Sequence, residues 1–512
     1  MLFNSYIFLF AFLPVALVGY YAAARLLGPR ACKLWLCASS FAFYGWWNPA
    51  LVILLAGSIA FNYLLSGYLV GGQKGSPHQG KILFLAVAAN LSVLIYYKYL
   101  FPLLDFFHAH GWVNFDAGSV ILPIGISFYT FTQIGYLVDC RQGLVRDRNL
   151  LDYTLFVTFF PHLIAGPILH HREIMPQFAN DATFRLRADN IGVGLTLFTV
   201  GLAKKVLLAD SIAPWVDVGF ADLQHIALVN AWSVAVAYSM QLYFDFSGYS
   251  DMAIGLGIMF ALRMPLNFNS PYRSLSIIDF WQRWHMTLTR YATLLVYNPL
   301  ALQVARLRQR KGLPQGRRAA LTVAGFAGTI AFPTIATTVL VGVWHGAGLQ
   351  FLLYGLLHGA YLCVNHAWRL FFKPFAVPAV LKAAVLYSIL WRFVLTYGAV
   401  LVAMILFRAR SVSDALSLAS GMCGIHGAGL PLPGAVYSHS GFVLFLAAIA
   451  FCFPNIYQIL GRWSPALTAV KALPARLPTW HPTWTNAAAF GVLLAVAVLY
   501  SQRAVRFLYF QF

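Results

Sequence analysis

Acidic residues are scarce in this 512-residue chain. It contains 15 Asp and Glu, and only 10% of its residues are charged, against about a quarter in an ordinary soluble domain. A soluble protein of this length needs a charged surface to stay dispersed in water, and so few carboxylates cannot supply one. Because 60% of the residues are hydrophobic and 16% are aromatic, the chain is predicted to be an integral membrane protein.

Several familiar signals are also missing or sparse. The sequence contains no G-x-S-x-G nucleophile elbow, no Walker A loop and no well-placed G-x-G-x-x-G. The motifs that usually indicate a serine hydrolase or a nucleotide-driven pump are therefore missing. No fixed-period repeat or mirrored half is visible, which weighs against an inverted-repeat transporter. Scattered positions within or beside apolar segments favour buried free thiols for the six cysteines, Cys32, Cys37, Cys140, Cys363, Cys423 and Cys452.

Basic residues outnumber acidic ones by 35 to 15, for a net charge of +20. They stand between apolar segments, which favours positive-inside topology and contact with membrane lipid over nucleic acid. The densest run of basic residues, residues 306–318, is predicted to be cytoplasmic.

Residues 1–24 carry no basic residue, whereas Arg25, Arg30 and Lys33 follow directly. A first helix running from outside to inside, retained in the mature protein, is therefore expected.

Apolar segments long enough to cross ~30 Å of hydrocarbon recur along the whole chain. The clearest are residues 51–70, 82–107, 120–138, 191–209, 226–246, 321–344, 350–371, 380–407, 441–460 and 487–500. Shorter pieces at 34–43, 150–169 and 253–262 are interrupted by Gly, Pro or His and are candidates for re-entrant segments. The prediction is an all-α polytopic membrane protein with about a dozen transmembrane or re-entrant helices, in one domain covering residues 1–512.

Residues 241–360 hold the densest mixture of carboxylates, histidines, tryptophans and glycines. Polar groups are costly in a bilayer, so each is a candidate for a functional role. On a helix, Gln241, Asp245 and Tyr249 share one face at i, i+4 and i+8. An unpaired Asp in hydrocarbon costs at least about 2.5 kcal/mol. This polar face is compatible with interhelical hydrogen bonding and also with a functional site, and both interpretations stay open.

Three histidines of this stretch differ in their surroundings. His285 lies in a Trp-rich run near Asp279, which by itself is more typical of a structural histidine. His345 precedes a Gly-Ala-Gly run that would let a backbone or substrate approach closely. On a continuous helix His358 would lie about 19 Å along and about 220° around from His345. It is predicted to be structural support unless the helix breaks at residues 346–348.

A histidine-rich loop occupies residues 159–173. It gathers His162, His170, His171 and Glu173, but the spacing matches no zinc pattern such as H-E-x-x-H. A structured juxtamembrane loop without metal is expected, and a metal site is the weaker alternative.

Eight segments carry recognisable motifs in a consistent order along nearly the whole chain. They are residues 123–131, 159–167, 201–205 with 209–210, 243–251, 265–272, 280–285, 343–347 and 509–512. Together they resemble the membrane-bound O-acyltransferase family, specifically its bacterial polysaccharide branch. The resemblance implies many helices around a central tunnel, with an acyl donor entering from the cytoplasm and an acceptor from the other side.

The resemblance also implies site residues. The invariant histidine of the family matches His345 and its second, near-invariant histidine matches His285. Acyl transfer from a thioester to a hydroxyl needs a base, and neutral imidazole suits that task, whereas a thiol of pKa near 8.5 leaves without a strong acid. We expect His345 to be the base and His285 to orient it or the acceptor. Substrate- or tunnel-lining roles are implied for Gln241, Tyr243, Asp245, Ser247, Tyr249, Asn267, Trp281, Arg283, Trp284 and Trp344.

One segment departs from the family. Many members of the branch carry a Trp-Leu-Arg-Asp-Tyr-like run after the His285 motif, whereas residues 290–300 here read Arg-Tyr-Ala-Thr-Leu-Leu-Val-Tyr-Asn-Pro-Leu. The Arg-Asp pair is absent. If this segment shapes the donor entrance, the donor or its carrier protein can differ here, so the carrier identity stays open.

The favoured function is transfer of acetyl across the bacterial inner membrane for O-acetylation of an exported polysaccharide. The expected donor is an acyl thioester, either acetyl-CoA or an acyl carrier protein, with no bound cofactor. A periplasmic esterase-like transferase, the polysaccharide and a cytoplasmic acyl carrier are the expected partners. Alternatives are transfer of D-alanyl or a longer acyl group to a cell-envelope polymer and, from another class, a polysaccharide transporter or export component.

Overall fold

A computed structural model describes the chain except for residues 72–75, 113–119, 146, 373–381, 430–434, 475, 478, 504–506 and 509–512. The last motif of the family, residues 509–512, therefore lies outside the described residues. Throughout the described part, the regular elements are helices. This confirms the predicted all-α class.

Helices follow one another closely from the N-terminus, and proline opens several of them because a first-turn residue needs no N–H partner. Up to residue 227 the α-helices are Leu13–Leu27, Pro29–Gly45, Pro49–Gly71, Pro77–Ile95, Phe101–Ala109, Ile126–Arg141, Leu150–Thr158, Phe160–Leu163, His171–Phe178, Ala188–Ala203 and Asp210–Ala221. The π-helical turns Phe8–Phe12, Tyr96–Leu100 and Lys204–Ala209 and the 3₁₀ turn Asp181–Phe184 complete this half.

The second half begins with the longest helix, Leu228–Met259, which we call the central helix. It is followed by the α-helices Ile277–Trp281, Met286–Ala292, Asn298–Arg310, Gly316–Ala320, Val323–Phe326, Phe332–His345, Leu349–Phe371, Lys382–Arg408, Val412–Met422, Ala435–Cys452, Ile456–Ile459 and Trp484–Tyr500. The π-helical turns are Thr293–Tyr297 and Ala327–Ala331, and the 3₁₀ turns are Pro271–Arg273, Gly461–Trp463 and Ser501–Arg503.

Six described helical segments are long and apolar enough to cross a membrane. They are Phe8–Leu27, Pro49–Gly71, Pro77–Ala109, Ala188–Ala221, Val323–His345 and Tyr387–Arg408, and shorter apolar helices lie at Ser440–Cys452 and Trp484–Tyr500. A multi-pass membrane protein is confirmed, whereas the count of about a dozen stays a prediction.

The central helix runs past the boundary that its sequence indicated. The apolar piece at 253–262 was expected as a separate segment, but its residues up to Met259 continue the same helix. The charged residue between the two apolar stretches, Asp251, has partners inside the fold: its carboxylate lies 2.6 Å from the Lys204 ammonium and accepts a hydrogen bond from the Tyr457 hydroxyl at 2.8 Å.

The described chain divides into two compact units. The first comprises residues 1–207, 245–266 and 456–511, and the second comprises residues 208–244, 267–455 and 512. The central helix thus contributes its residues up to Phe244 to the second unit and the remainder to the first. The prediction of one domain over residues 1–512 stays a prediction.

Within the first unit, glycines bring two helices into backbone contact. A Cβ placed on Gly248 would lie 2.7 Å from the Gly201 carbonyl oxygen, and one on Gly255 would lie 2.6 Å from that of Gly194. Only glycine permits this separation. Close packing of Ala188–Ala203 against residues 245–259 follows, and it puts the adjoining Lys204 and Lys205 within reach of carboxylates on the central helix.

Within the second unit, Phe332–His345 and Leu349–Phe371 form a tight helical hairpin. A Cβ on Gly342 would lie 2.3 Å from the Phe351 carbonyl oxygen, and one on Gly355 would lie 2.5 Å from that of Thr338. The chain turns at residues 346–348, so the two helices are not continuous.

The six cysteines are free thiols, as predicted. Cys32, Cys37 and Cys140 are buried, but burial was wrongly predicted for Cys423 and Cys452, which are exposed. Both exposed residues lie at helix C-termini, where the chain reaches the protein surface.

Candidate active site

His285 occupies a strained position at the start of a helix. It is the N-cap of Met286–Ala292 and adopts φ 43° and ψ 50°, in the left-handed region that non-glycine residues seldom occupy. The side chain is buried. Strained backbone of this kind persists only where surrounding contacts maintain it, and it is concentrated at functional sites.

Asn267 provides those contacts through its amide oxygen. The Oδ1 atom accepts hydrogen bonds from the Thr287 backbone N–H at 3.3 Å and the Thr287 hydroxyl at 2.8 Å. Because a backbone N–H can only donate, the atom facing it must be oxygen. The same oxygen lies 3.0 Å from His285 Nδ1, so Nδ1 carries the proton and donates it. A neutral His285 consequently presents a lone pair at Nε2.

Burial keeps His285 in this neutral form. The residue lies in the connection after the central helix, outside the candidate membrane spans. Desolvation disfavours the charged imidazolium and lowers the pKa of His285 to about 3. At neutral pH the imidazole therefore has the tautomer and charge of a hydrogen-bond acceptor at Nε2.

His345 ends one helix of the hairpin and is enclosed by aromatic rings. Its ring centroid lies 4.7 Å from that of Trp344, 4.9 Å from that of Phe407 and 6.2 Å from that of Tyr354. A Cβ on Gly346 would lie 2.1 Å from the Phe351 ring. The glycine after His345 thus allows an aromatic side chain to close over the turn. Phe407 carried no local signal in the sequence, because it comes from a distant helix.

His358 returns toward His345 because the helix breaks between them. Its ring lies 4.6 Å from that of Tyr354, which in turn contacts His345. Trp281 Nε1 donates a hydrogen bond to His358 Nδ1 at 3.2 Å. An indole nitrogen can only donate, so His358 Nδ1 is an acceptor already in use. The helix does break at residues 346–348, which was the condition under which His358 could share the site of His345. The role of His358 as structural support therefore stays a prediction.

Ring contacts join the two candidate catalytic histidines within the second unit. The series runs from His345 through Tyr354, His358, Phe280, Trp284 and Phe268 to His285, with centroid separations between 4.6 and 6.4 Å. The fold therefore places both histidines on one aromatic network, although 60 positions separate them in the chain.

Other predicted lining residues of the second unit surround this network. The Tyr243 ring lies 6.5 Å from Trp284, and Trp284 stacks on Tyr272 at 6.0 Å. Arg283 Nε donates to Asp279 Oδ1 at 2.8 Å and is partly exposed. Within the described part of the chain, the buried Gln241 Oε1 has no hydrogen-bond partner, a feature compatible with its predicted lining role.

Asp245, Ser247 and Tyr249 belong to the first unit. Asp245 Oδ1 lies 2.7 Å from Lys205 Nζ, and its Oδ2 accepts the Leu508 N–H at 3.0 Å. The Tyr249 ring packs between Phe3 and Phe507. These contacts give Asp245 and Tyr249 structural partners, and their lining role stays a prediction.

The Lys205 partnership was not anticipated from the sequence. Lys204 and Lys205 interrupt an otherwise apolar segment, and buried lysines require a counterion. That interruption was the available signal, because two aspartates lie in the neighbouring central helix.

The histidine-rich loop contributes one cluster within the first unit. Asp139 Oδ2 lies 2.8 Å from His170 Nε2 and 3.0 Å from His171 Nδ1, and the three residues could hold a metal ion. His170 Nδ1, however, accepts the Arg172 backbone N–H at 3.4 Å. That contact places the His170 proton on Nε2, facing the carboxylate, whereas a metal ligand needs a lone pair there. The cluster fits a hydrogen-bonded loop anchor better than a metal site.

Fold and site define a helical, multi-pass membrane protein with two buried histidines on one aromatic network, one of them held as a neutral acceptor. Residues 138–313 match the model of MBOAT, the membrane-bound O-acyltransferase family. The chain is 38% identical over 461 residues to the peptidoglycan O-acetyltransferase of Helicobacter pylori, covering 84% of this chain and 81% of that relative.

Two further relatives extend the comparison. The probable alginate O-acetylase of Pseudomonas aeruginosa is 37% identical over 420 residues, covering 81% of this chain and 73% of that protein. The teichoic acid D-alanyltransferase of Bacillus subtilis is 29% identical over 304 residues, covering 59% and 72%. The chain therefore belongs to the membrane-bound O-acyltransferase family. It is an acyltransferase, and the resemblance inferred from its motifs is confirmed.

Proposed function

We propose that this acyltransferase moves acetyl from a cytoplasmic thioester to a hydroxyl, in the pathway that O-acetylates an exported polysaccharide. Two relatives at 37–38% identity are named as acetyl-transferring enzymes, whereas the D-alanyltransferase is 29% identical. The hydrogen bond between Asn267 and His285 carries the chemical part of the proposal. It provides a neutral imidazole acceptor in a buried site, which can accept a hydrogen bond from the acceptor molecule and orient it.

In the proposed step His345 is the general base and His285 positions the acceptor. His285 Nε2 accepts a hydrogen bond from a second donor group of the acceptor and thereby orients the reacting hydroxyl. The hydroxyl oxygen attacks the thioester carbonyl carbon while His345 takes the hydroxyl proton. The new C–O bond forms, the C–S bond breaks, and the proton passes from His345 to the departing thiolate. General-base assistance of this kind contributes about 10²- to 10⁴-fold in rate.

The cellular setting is part of the same proposal. The protein works in the bacterial inner membrane, with its donor, acetyl-CoA or an acetylated carrier protein, on the cytoplasmic side. A periplasmic esterase-like transferase receives the acetyl group and passes it to the polysaccharide. The excess of basic residues, which stand between apolar segments, supports the membrane setting with its cytoplasmic side rich in positive charge.

Purified protein in nanodiscs, supplied with radiolabelled acetyl donor, the periplasmic transferase and a glycan acceptor, tests the proposal. His345→Ala should lower formation of the labelled ester by about 10²- to 10⁴-fold, while His110→Gln, at an exposed histidine, should match the wild type. Ester formation at the wild-type rate by folded His345→Ala would exclude His345 as the base.

A D-alanyl donor distinguishes the main alternative, which the Bacillus relative favours. Preference for D-alanyl over acetyl thioester in the same assay would replace acetyl as the transferred group. A transporter or export component would yield no His345-dependent ester with any donor, so that result would reject acyl transfer as the proposed reaction.

A further inference from the structure

A large cavity in the first unit is lined by residues that lie far in sequence from His285 and His345. Its volume is about 1040 Å³, which is at the upper end of the range for small-molecule sites. Residues from Pro29–Gly45, Pro49–Gly71 and the start of Leu150–Thr158 line it. Arg30, Lys33 and Arg148 are cationic, and none of the described lining residues is acidic.

Two of these cations are held in place by neighbouring groups. Arg148 Nε donates to Ser66 Oγ at 3.1 Å, and its guanidinium lies 4.4 Å from the centre of the Tyr63 ring. Lys33 Nζ lies 2.7 Å from Asp152, which is not among the lining residues. Since Asp152 balances one of three cations, the cavity has a net charge of about +2 and favours an anion.

Along the helix Pro29–Gly45, the side chains that line the cavity change from basic to apolar. Arg30, Leu34, Cys37 and Phe41 follow one another at intervals of three or four residues and share one face. The basic residue lies at the start of the helix, and Phe41 lies about 17 Å further along its axis. A ligand that matches this face has an anionic head and an apolar tail of similar length.

The predicted topology places the basic end at the cytoplasmic surface. The charge bias around residues 25–33 predicts that the start of Pro29–Gly45 lies inside, where anionic lipids attract basic residues. Basic pockets between membrane helices on this side typically take phosphate headgroups. A free phosphate shares the headgroup chemistry but leaves the apolar part of the face empty.

We propose that this cavity is a binding site for an anionic phospholipid of the cytoplasmic leaflet. The phosphate lies among Arg30, Lys33 and Arg148, and an acyl chain follows Cys37 and Phe41. The site is separate from acyl transfer and does not depend on the proposed function.

Lipid titration of the purified full-length protein, followed by native mass spectrometry, tests the site. Wild type should bind phosphatidylglycerol more tightly than phosphatidylcholine of the same chain length. Arg30→Gln should weaken phosphatidylglycerol binding roughly fivefold, the effect of one basic residue near a charged headgroup. Arg25→Gln is the matched control, because Arg25 is basic, exposed and nearby but does not line the cavity.

Inorganic phosphate and short-chain phosphatidylglycerol form the second arm of the experiment. Neither should displace long-chain phosphatidylglycerol at equal concentration, since neither fills the apolar face. Displacement by inorganic phosphate would overturn the lipid assignment in favour of a soluble phosphate ligand. Equal binding of the two long-chain lipids, or equal weakening by Arg25→Gln and Arg30→Gln, would overturn the site. Thermal unfolding of both variants at the wild-type temperature confirms that folding does not explain the result.

Discussion

The amide oxygen of Asn267 lies 3.0 Å from His285 Nδ1 and selects one tautomer of the imidazole. The same oxygen accepts two hydrogen bonds from Thr287, which identify it as oxygen and orient the amide. Through this contact a residue 18 positions earlier in the chain controls which nitrogen of His285 can accept a proton. Asn267 is therefore a positioning residue for the candidate active site.

Replacement of Asn267 by Ala should slow acyl transfer because the His285 tautomer is no longer selected. Loss of a hydrogen bond to a buried group costs about 1–3 kcal/mol, which corresponds to roughly 5- to 150-fold in rate. The measurement is the rate of labelled ester formation at saturating donor.

Asn267→Asp distinguishes positioning from simple packing. Aspartate retains the acceptor oxygen but adds a negative charge, which should raise the pKa of His285 and shift the pH profile of transfer to higher pH. An unshifted profile in active Asn267→Asp, or full activity in Asn267→Ala, would contradict the assignment.

Acid should destabilise the protein partly through His285. Its pKa is about 3 in the folded chain against about 6.5 for an unperturbed histidine, so between these pH values the unfolded state binds the additional proton. Stability contributed by the neutral imidazole is present above pH 6.5 and is lost as the pH falls toward 3, at up to about 1.4 kcal/mol per pH unit. His285→Gln should show a shallower loss than wild type between pH 7 and 4, measured by chemical unfolding in detergent; identical slopes would count against a neutral buried His285.

Gly342→Ala should destabilise the helical hairpin. The new Cβ would lie 2.3 Å from the Phe351 carbonyl oxygen, and a backbone atom cannot move away without separating the helices. Overpacking of this kind costs about 1–3 kcal/mol, which should appear as a lower thermal unfolding temperature. Gly398→Ala is the control, because nothing lies within 4 Å of its Cβ and alanine favours a helix over glycine. Equal effects of the two substitutions would rule out the steric explanation.

Lys205→Met should destabilise the first unit strongly because it leaves the Asp245 carboxylate buried without its ion-pair partner. Both side chains are nearly inaccessible, at 1% and 2% exposed, and breaking a buried pair typically costs about 3–5 kcal/mol. Lys205→Met combined with Asp245→Leu should recover much of the loss, since no charge is then left unpaired. Unfolding temperatures of the single and double variants provide the measurement.

Arg187→Gln is the control for the Lys205 and Asp245 variants. It breaks the exposed pair with Asp189, where solvent screens the charges, and should have little effect. If the double variant is no more stable than Lys205→Met alone, burial of charge is not the cause.

Hydropathy and charge were sufficient to predict the helical membrane class and the approximate bounds of most long helices. Apolar segments predicted most long helices within a few residues, as for residues 51–70, observed as Pro49–Gly71, and residues 350–371, observed as Leu349–Phe371. Three segments differ more: residues 120–138 are observed as Ile126–Arg141, residues 441–460 as Ala435–Cys452, and the segment predicted to end at residue 246 continues to Met259. Within the last of these helices, Asp251 is paired with Lys204 and Tyr457, which come from distant parts of the chain, and local periodicity contains no information about them.

For the candidate site, too, the sequence predicted some features and not others. His285, His345 and Asn267 could be named from motifs that resemble a family, because the chemistry demands particular residue types. The contact that selects the His285 tautomer could not be read from the sequence. Nor could the aromatic cage of His345, since Phe407 reaches it from another helix.

By itself, the sequence determined that the chain is a helical membrane protein and an acyltransferase, because composition controls partition into lipid and ordered motifs identify the family. Only the tertiary structure decided the role that each polar group can take. It turned the chain at residues 346–348 so that His358 shares the aromatic network of His345, and it paired Asp245 with Lys205. It also placed the Asn267 oxygen against His285. These outcomes depend on groups distant in sequence meeting within hydrogen-bond distance, which packing alone decides.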